Sequence, residues 1–155
     1  MQKIVTNIHD LLIKKEKTIA VAESCTGGLL SALLTQVSGS SQYFMLGVIA
    51  YSNNAKAAVL KVSNSAIAKN GAVSKGVTGR MAASVKKLAK TDFGIGITGI
   101  AGPTGSSPGK PVGTVFIAID SNNKKICNKY IFKGNRKAIR EKAALKSLEL
   151  LGKML

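Results

Sequence analysis

Thr18 to Gly28 reads T-I-A-V-A-E-S-C-T-G-G. The first half, Ile19 to Ala22, is short, apolar and free of charge. Glu23, Ser24, Cys25, Thr26, Gly27 and Gly28 then follow at once. From Leu29 apolar residues return at helical spacing, with Leu30, Leu33 and Leu34. That order predicts a buried strand, a tight turn and a helix start. Such a turn presents backbone N–H groups that can hold an oxyanion or a phosphate. Gly27 and Gly28 allow close approach to the chain. The same letters also fit an ordinary strand-to-helix connection capped by Ser24 or Thr26.

The rest of the chain builds outward from this unit. Upstream, Ile4, Val5, Ile8, Leu11 and Leu12 give an amphipathic helix over residues 2–15. Downstream, the helix after Gly27 is predicted to run to Val37, where Ser38-Gly39-Ser40-Ser41 breaks it. Gln42–Leu46 reads as a short turn or helix and Gly47–Ser52 as a second strand. Asn53-Asn54 caps a helix over Ala55–Leu60 that carries Lys56, and Ser63-Asn64 caps another over Ser65–Lys69. Ser74 caps a long helix to Lys90. Asp92–Thr98 is a buried strand, and Gly99–Pro111 a Gly/Pro/Ser loop. Val112–Ile119 and Lys125–Phe132 form a hairpin, and Arg136–Leu151 a last helix. The expectation is a single α/β domain, a layered α/β/α sandwich with a mixed five-stranded sheet, spanning residues 1–155.

Composition narrows the function. Of 155 residues 45% are apolar, enough for a real core. No apolar run reaches membrane-spanning length, and the N-terminus lacks a signal-peptide pattern, so a cytoplasmic, membrane-free protein is expected. One histidine, two isolated cysteines and seven acids offer no metal-ligand spacing and no Ser-His-Asp triad. The net charge is +16, carried by scattered lysines and three arginines: Arg80, Arg136 and Arg140. Aromatics are 5% and Trp is absent, which argues against a nucleic-acid surface and for a lysine coat, whose charge still steers anionic substrates toward it. Gly94-Ile95-Gly96-Ile97-Thr98-Gly99 spells a dinucleotide fingerprint, but it lies in a strand and no helix follows.

Several polar residues flank the predicted strands: Glu23, Ser24, Ser40, Ser41, Tyr51, Ser52, Asn53, Lys56, Thr98 and Arg136. In open α/β sheets the strand ends of one polarity meet at a ligand crevice. A lysine desolvated there loses its proton readily and can serve as base to a serine, with no histidine needed.

A-E-S-C-T-G-G (Ala22–Gly28), S-G-S-S-x-x-F (Ser38–Phe44), Y-S-N-x-A-K (Tyr51–Lys56), G-A-V-S (Gly71–Ser74), T-G-I-A-G-P-T-G (Thr98–Gly105) and K-P-V-G-T-V (Lys110–Val115) together resemble the CinA C-terminal domain family. The resemblance runs from Thr18 to the final helix. Larger members carry a further N-terminal domain, and this chain resembles the stand-alone form. The resemblance implies a cofactor-free, metal-free serine amidohydrolase that deamidates nicotinamide mononucleotide through a Ser/Lys dyad. It implies functional roles for Ser24, Ser41, Tyr51, Lys56, Thr98 and Arg136.

Between the two serines, Ser41 is favoured as nucleophile. It follows Gly39 and precedes the strand that delivers Lys56. Ser24 then binds substrate or oxyanion; the alternative makes Ser24 the nucleophile. Tyr51 is expected to orient Lys56 or to relay a proton. Backbone N–H groups from Cys25 through Thr26, Gly27 and Gly28, or those at the Thr98–Gly99 turn, are assigned to the oxyanion, and Arg136 with the Gly99–Gly105 loop, Gly102 within it, to the phosphate. A homo-oligomer is expected. The rival readings are a silent nucleotide-binding module and a basic nucleic-acid-associated protein.

Overall fold

The computed structural model describes residues 2–155. Its elements are α1 (Gln2–Lys14), β1 (Ile19–Glu23), α2 (Leu29–Leu34), β2 (Phe44–Ile49), α3 (Asn53–Ala58), α4 (Asn64–Asn70), α5 (Lys75–Ala89), β3 (Phe93–Gly99), β4 (Thr114–Ser121), β5 (Lys125–Ile131) and α6 (Arg136–Gly152). A 3-10 turn, Ser40–Gln42, precedes β2.

One mixed sheet runs in the order β2-β1-β3-β4-β5. β1 is parallel to both β2 and β3; β4 and β5 run antiparallel, as a hairpin must. The layered α/β architecture is therefore the expected one. β1 is buried throughout because helices cover it on both faces. Ile19 and Val21 face α1, α2 and α6, while Ala20 and Ala22 face α5. The small side chains on that second face continue in β3, where Gly94 and Gly96 lie directly under α5. The literal G-x-G-x-x-G is thus a packing seam between strand and helix. The single histidine is structural: His9 Nδ1 lies 3.2 Å from Tyr43 Oη, and the buried Tyr43 hydroxyl donates to Leu34 O at 2.6 Å.

Several boundaries differ from the sequence expectation. The second strand spans Phe44–Ile49, not Gly47–Ser52, because Ile19 takes Phe44 as partner and Ala20–Glu23 take Leu46–Ile49, the register shifting at Met45. The helix after Gly28 stops at Leu34, three residues short of Val37. β4 starts at Thr114, since Gly113 donates to Ile100 O in a turn. Among the described residues no helix is long and apolar enough to cross a membrane.

Candidate active site

β1 sits between β2 and β3, so the chain leaves its carboxyl end where neighbouring connections diverge. That is where open α/β sheets keep their ligand crevice. Ser24 is the first residue past β1, and its N–H donates to Ile97 O on β3. Lys56 arrives from α3, a short helix capped by Ser52 Oγ accepting from Ala55 N–H at 3.0 Å. Its side chain points inward and is 2% exposed.

Lys56 Nζ lies 3.1 Å from Ser24 Oγ. It donates to Ala50 O at 2.9 Å and to Tyr51 O at 3.1 Å. Among the described residues no carboxylate pairs with it. Burial pushes its ammonium below the ordinary lysine range, opposed by the nearby Cys25. A neutral amine with two N–H groups spent on carbonyls keeps its lone pair for a hydroxyl proton. The pair opens on a cavity of about 210 Å³, lined also by Tyr51, Gly99, Ala101 and Arg136. A larger cleft of about 610 Å³ between α5 and the β4–β5 hairpin has neither a serine nor a buried lysine.

Cys25, next to Ser24, is no competing nucleophile. Burial, with Glu23 nearby, pushes its thiol up to about 12, so it stays protonated.

The turn after β1 is clamped from two sides. Glu23 is fully buried, and its carboxylate accepts from Gly28 N–H at 3.0 Å, Leu30 N–H at 3.1 Å and Ser31 N–H at 2.8 Å. Ser31 Oγ donates to it as well, at 2.6 Å. From α6, Arg140 Nη2 donates to Thr26 O at 2.7 Å. Gly27 N–H closes the turn on Ser24 O. Of the turn amides expected to hold the oxyanion, that of Gly28 is therefore taken by Glu23 and that of Gly27 by Ser24 O. Among the described residues, the amides of Cys25 and Thr26 have no such partner. Glu23→Gln puts an amide N–H₂ against backbone donors, and should cost about 1–3 kcal/mol of stability. A urea titration showing no loss would refute the clamp.

The other expected site residues separate. Tyr51 is exposed, and its hydroxyl accepts from Arg136 Nη2 at 2.9 Å; its carbonyl, not its phenol, orients Lys56. Arg136 also donates to Gly102 O at 2.8 Å, which ties the loop after β3 to the start of α6. Thr98 turns away from the cavity and lies under α5, its hydroxyl 2.7 Å from that of Thr78. Gly99 lines the cavity; Gly27 and Gly28 do not.

Ser41 requires a correction. It lies in the turn before β2, whereas Lys56 reaches the residues just after β2. A six-residue strand separates them, roughly 20 Å. The Ser41–Lys56 pair is not formed within one chain, and the lysine meets Ser24. Neither Glu23 as helix cap nor Arg140 was singled out from the sequence. The one available signal for Arg140 was its place four residues after Arg136, on the same helix face.

Across known protein families, the CinA C-terminal domain matches residues 1–155. The chain belongs to that family. A CinA-like protein of Thermotoga maritima is 46% identical over 155 residues, covering 100% of this chain. The chain spans only 37% of that relative's length. The competence damage-inducible protein A of Klebsiella pneumoniae superposes with a TM-score of 0.94 at 30% identity, covering 97% of this chain and 94% of that one. The competence/damage inducible protein CihA of Agrobacterium tumefaciens gives 0.93 at 32% identity, covering 96% and 92%. The names of the Klebsiella and Agrobacterium proteins refer to competence and damage and to no reaction.

Proposed function

We propose that the chain is a serine amidohydrolase that converts nicotinamide mononucleotide and water into nicotinate mononucleotide and ammonia. The observation that carries this reading is the buried Lys56 amine 3.1 Å from the Ser24 hydroxyl, beside an open cavity. The dyad supports acyl transfer; the resemblance to CinA-type deamidases supplies the substrate.

Neutral Lys56 takes the Ser24 proton as Oγ attacks the carboxamide carbon. The amides of Cys25 and Thr26 are the donors left for the oxyanion. The Lys56 ammonium returns its proton to the leaving nitrogen, and ammonia departs from a nicotinoyl ester on Ser24. Water then attacks that ester with Lys56 again as base, and the proton it collects goes back to Ser24 Oγ. The cavity takes the pyridine carboxamide and leaves the ribose phosphate at its mouth. There Arg136, which makes no carboxylate pair, offers a planar fork of donors.

Ammonia release by the purified protein tests the reaction. Release from nicotinamide mononucleotide that is lost in Ser24→Ala supports it; none from the wild type refutes it. The rate should rise with pH as Lys56 sheds its proton. Because burial lowers the lysine, the midpoint of that rise should fall below the ordinary lysine value of about 10.4. A rate flat across the range, or a midpoint at the ordinary value, would contradict the dyad.

A further inference from the structure

Charge is divided between the two faces of the sheet. From Ser24 to Thr91 the chain has neither Asp nor Glu. That stretch supplies α3, α4 and α5, and α5 covers one face. The carboxylates of Asp10, Glu141 and Glu149 belong to α1 and α6, on the other.

On the α5 side lies the cleft of about 610 Å³ between α5 and the β4–β5 hairpin. Beyond Ala83 it continues as a second depression of about 380 Å³. The floor is small and apolar: Gly79 and Ala83 from α5, Ala118 from β4, Ile126 and Cys127 from β5. The rims carry Lys75, Arg80, Lys86, Lys87, Lys90 and Lys125. Among the described residues Asp120 is the one acid lining this groove, and Lys86 at 2.9 Å and Lys125 at 3.0 Å already bracket its carboxylate. Lys75, Arg80, Lys87 and Lys90 make no ion pair among the described residues.

Glycine weakens a helix interior, yet α5 carries Gly79 on this face. Packing within the chain does not account for it, since a Cβ placed there would meet nothing within 4 Å. Gly76, Gly79 and Ala83 form one stripe along α5, at helical spacing, that leaves the helix backbone open to a close neighbour.

We propose that this groove docks an acidic amphipathic helix of another protein, its apolar side chains on the floor and its carboxylates against the cationic rims. The net charge of +16 turns away a second copy of this chain. The lining residues include no aromatic ring and no side-chain amide, the groups that stack on bases or read their edges. A flat anionic membrane would touch the lysines and miss the recessed floor. An acidic helix uses rim and floor together.

A fluorescein-labelled synthetic helix tests this, with Leu at i, i+3, i+4 and i+7 and Glu on both flanks of that stripe. Its anisotropy is read against the full chain at physiological ionic strength. Saturable binding is expected. A scrambled peptide of the same composition keeps the charge and loses the stripe, and should bind more weakly by about tenfold or more. Gly79→Leu fills the floor and removes no contact within the chain. It should weaken binding by about tenfold or more with no fall in melting temperature. Arg80→Glu/Lys87→Glu should weaken it as much. Lys3→Glu/Lys14→Glu makes the same charge change on α1 and should stay within about twofold of wild type. Absent binding, equal binding of the scrambled peptide, or full binding by either groove variant overturns the proposal. So does an equal loss in the α1 variant, which would reduce the effect to net charge. Tighter binding of oligothymidylate, lost in the groove variants, overturns it in favour of a nucleic acid. Every readout is binding, so a failed deamidase assay leaves the result standing.

Discussion

Ser24→Ala and Lys56→Ala should each lower ammonia release by about 10³-fold or more. The far-ultraviolet circular dichroism of both should match the wild type. Among the described residues the Ser24 hydroxyl makes one hydrogen bond, to Lys56, so removing it leaves the turn held by Glu23 and Arg140. Lys56→Arg is the sharper variant. It keeps a cation and a long stem but cannot give up its proton, so it too should be inactive. A serine-directed fluorophosphonate should attach to Ser24 in the wild type and fail to attach in Lys56→Ala. Ser41→Ala should leave that adduct in place. An adduct mapped to Ser41 would reverse the assignment of the nucleophile.

Gly94→Ala and Gly96→Ala should be the most destabilising small substitutions in the sheet. A Cβ at Gly94 would lie 2.2 Å from Ala82 O and 2.6 Å from Lys86 Cβ. At Gly96 it would lie 2.5 Å from Thr78 O and 2.8 Å from Ala82 N. These contacts include the backbone of α5, which rotation of a side chain cannot relieve. The helix must shift, and with it Thr78 and the wall it forms over Thr98. Overpacking of this kind costs about 3 kcal/mol, toward the upper end of its usual range. For a chain of this size that lowers the melting temperature by about 6–12 °C. A melting temperature within about 2 °C of wild type in both variants would show that the seam between β3 and α5 is loose.

The fold was legible because local pattern and global order agreed. The apolar run Ile19–Ala22, the turn Glu23–Gly28 and the leucines that follow each had one reading. The second strand was misplaced because Phe44–Leu46 carries no alternation, and its register is set by β1 rather than by its own residues. The Ser24–Lys56 contact was half legible. Lys56 and the two candidate serines stood out, but nearness along the chain to the strand that delivers the lysine favoured Ser41. A strand's entry and exit lie at opposite edges of a sheet, so nearness in sequence there means distance in space. Ser24 and Lys56 both follow strand exits, and the crevice rule applied strictly would have paired them. The clamp by Glu23 and Arg140 was not legible, since Arg140 reaches Thr26 from more than a hundred positions away.

The burial of Lys56 also ties the site to the stability of the whole molecule. Its proton affinity is lower in the native chain than in the unfolded one, so unfolding takes up a proton there. Native stability therefore increases with alkalinity between the depressed native value and about 10.4, and below that window the full penalty of hiding the amine is borne. Directed evolution for heat tolerance alone would have reason to erase this lysine first.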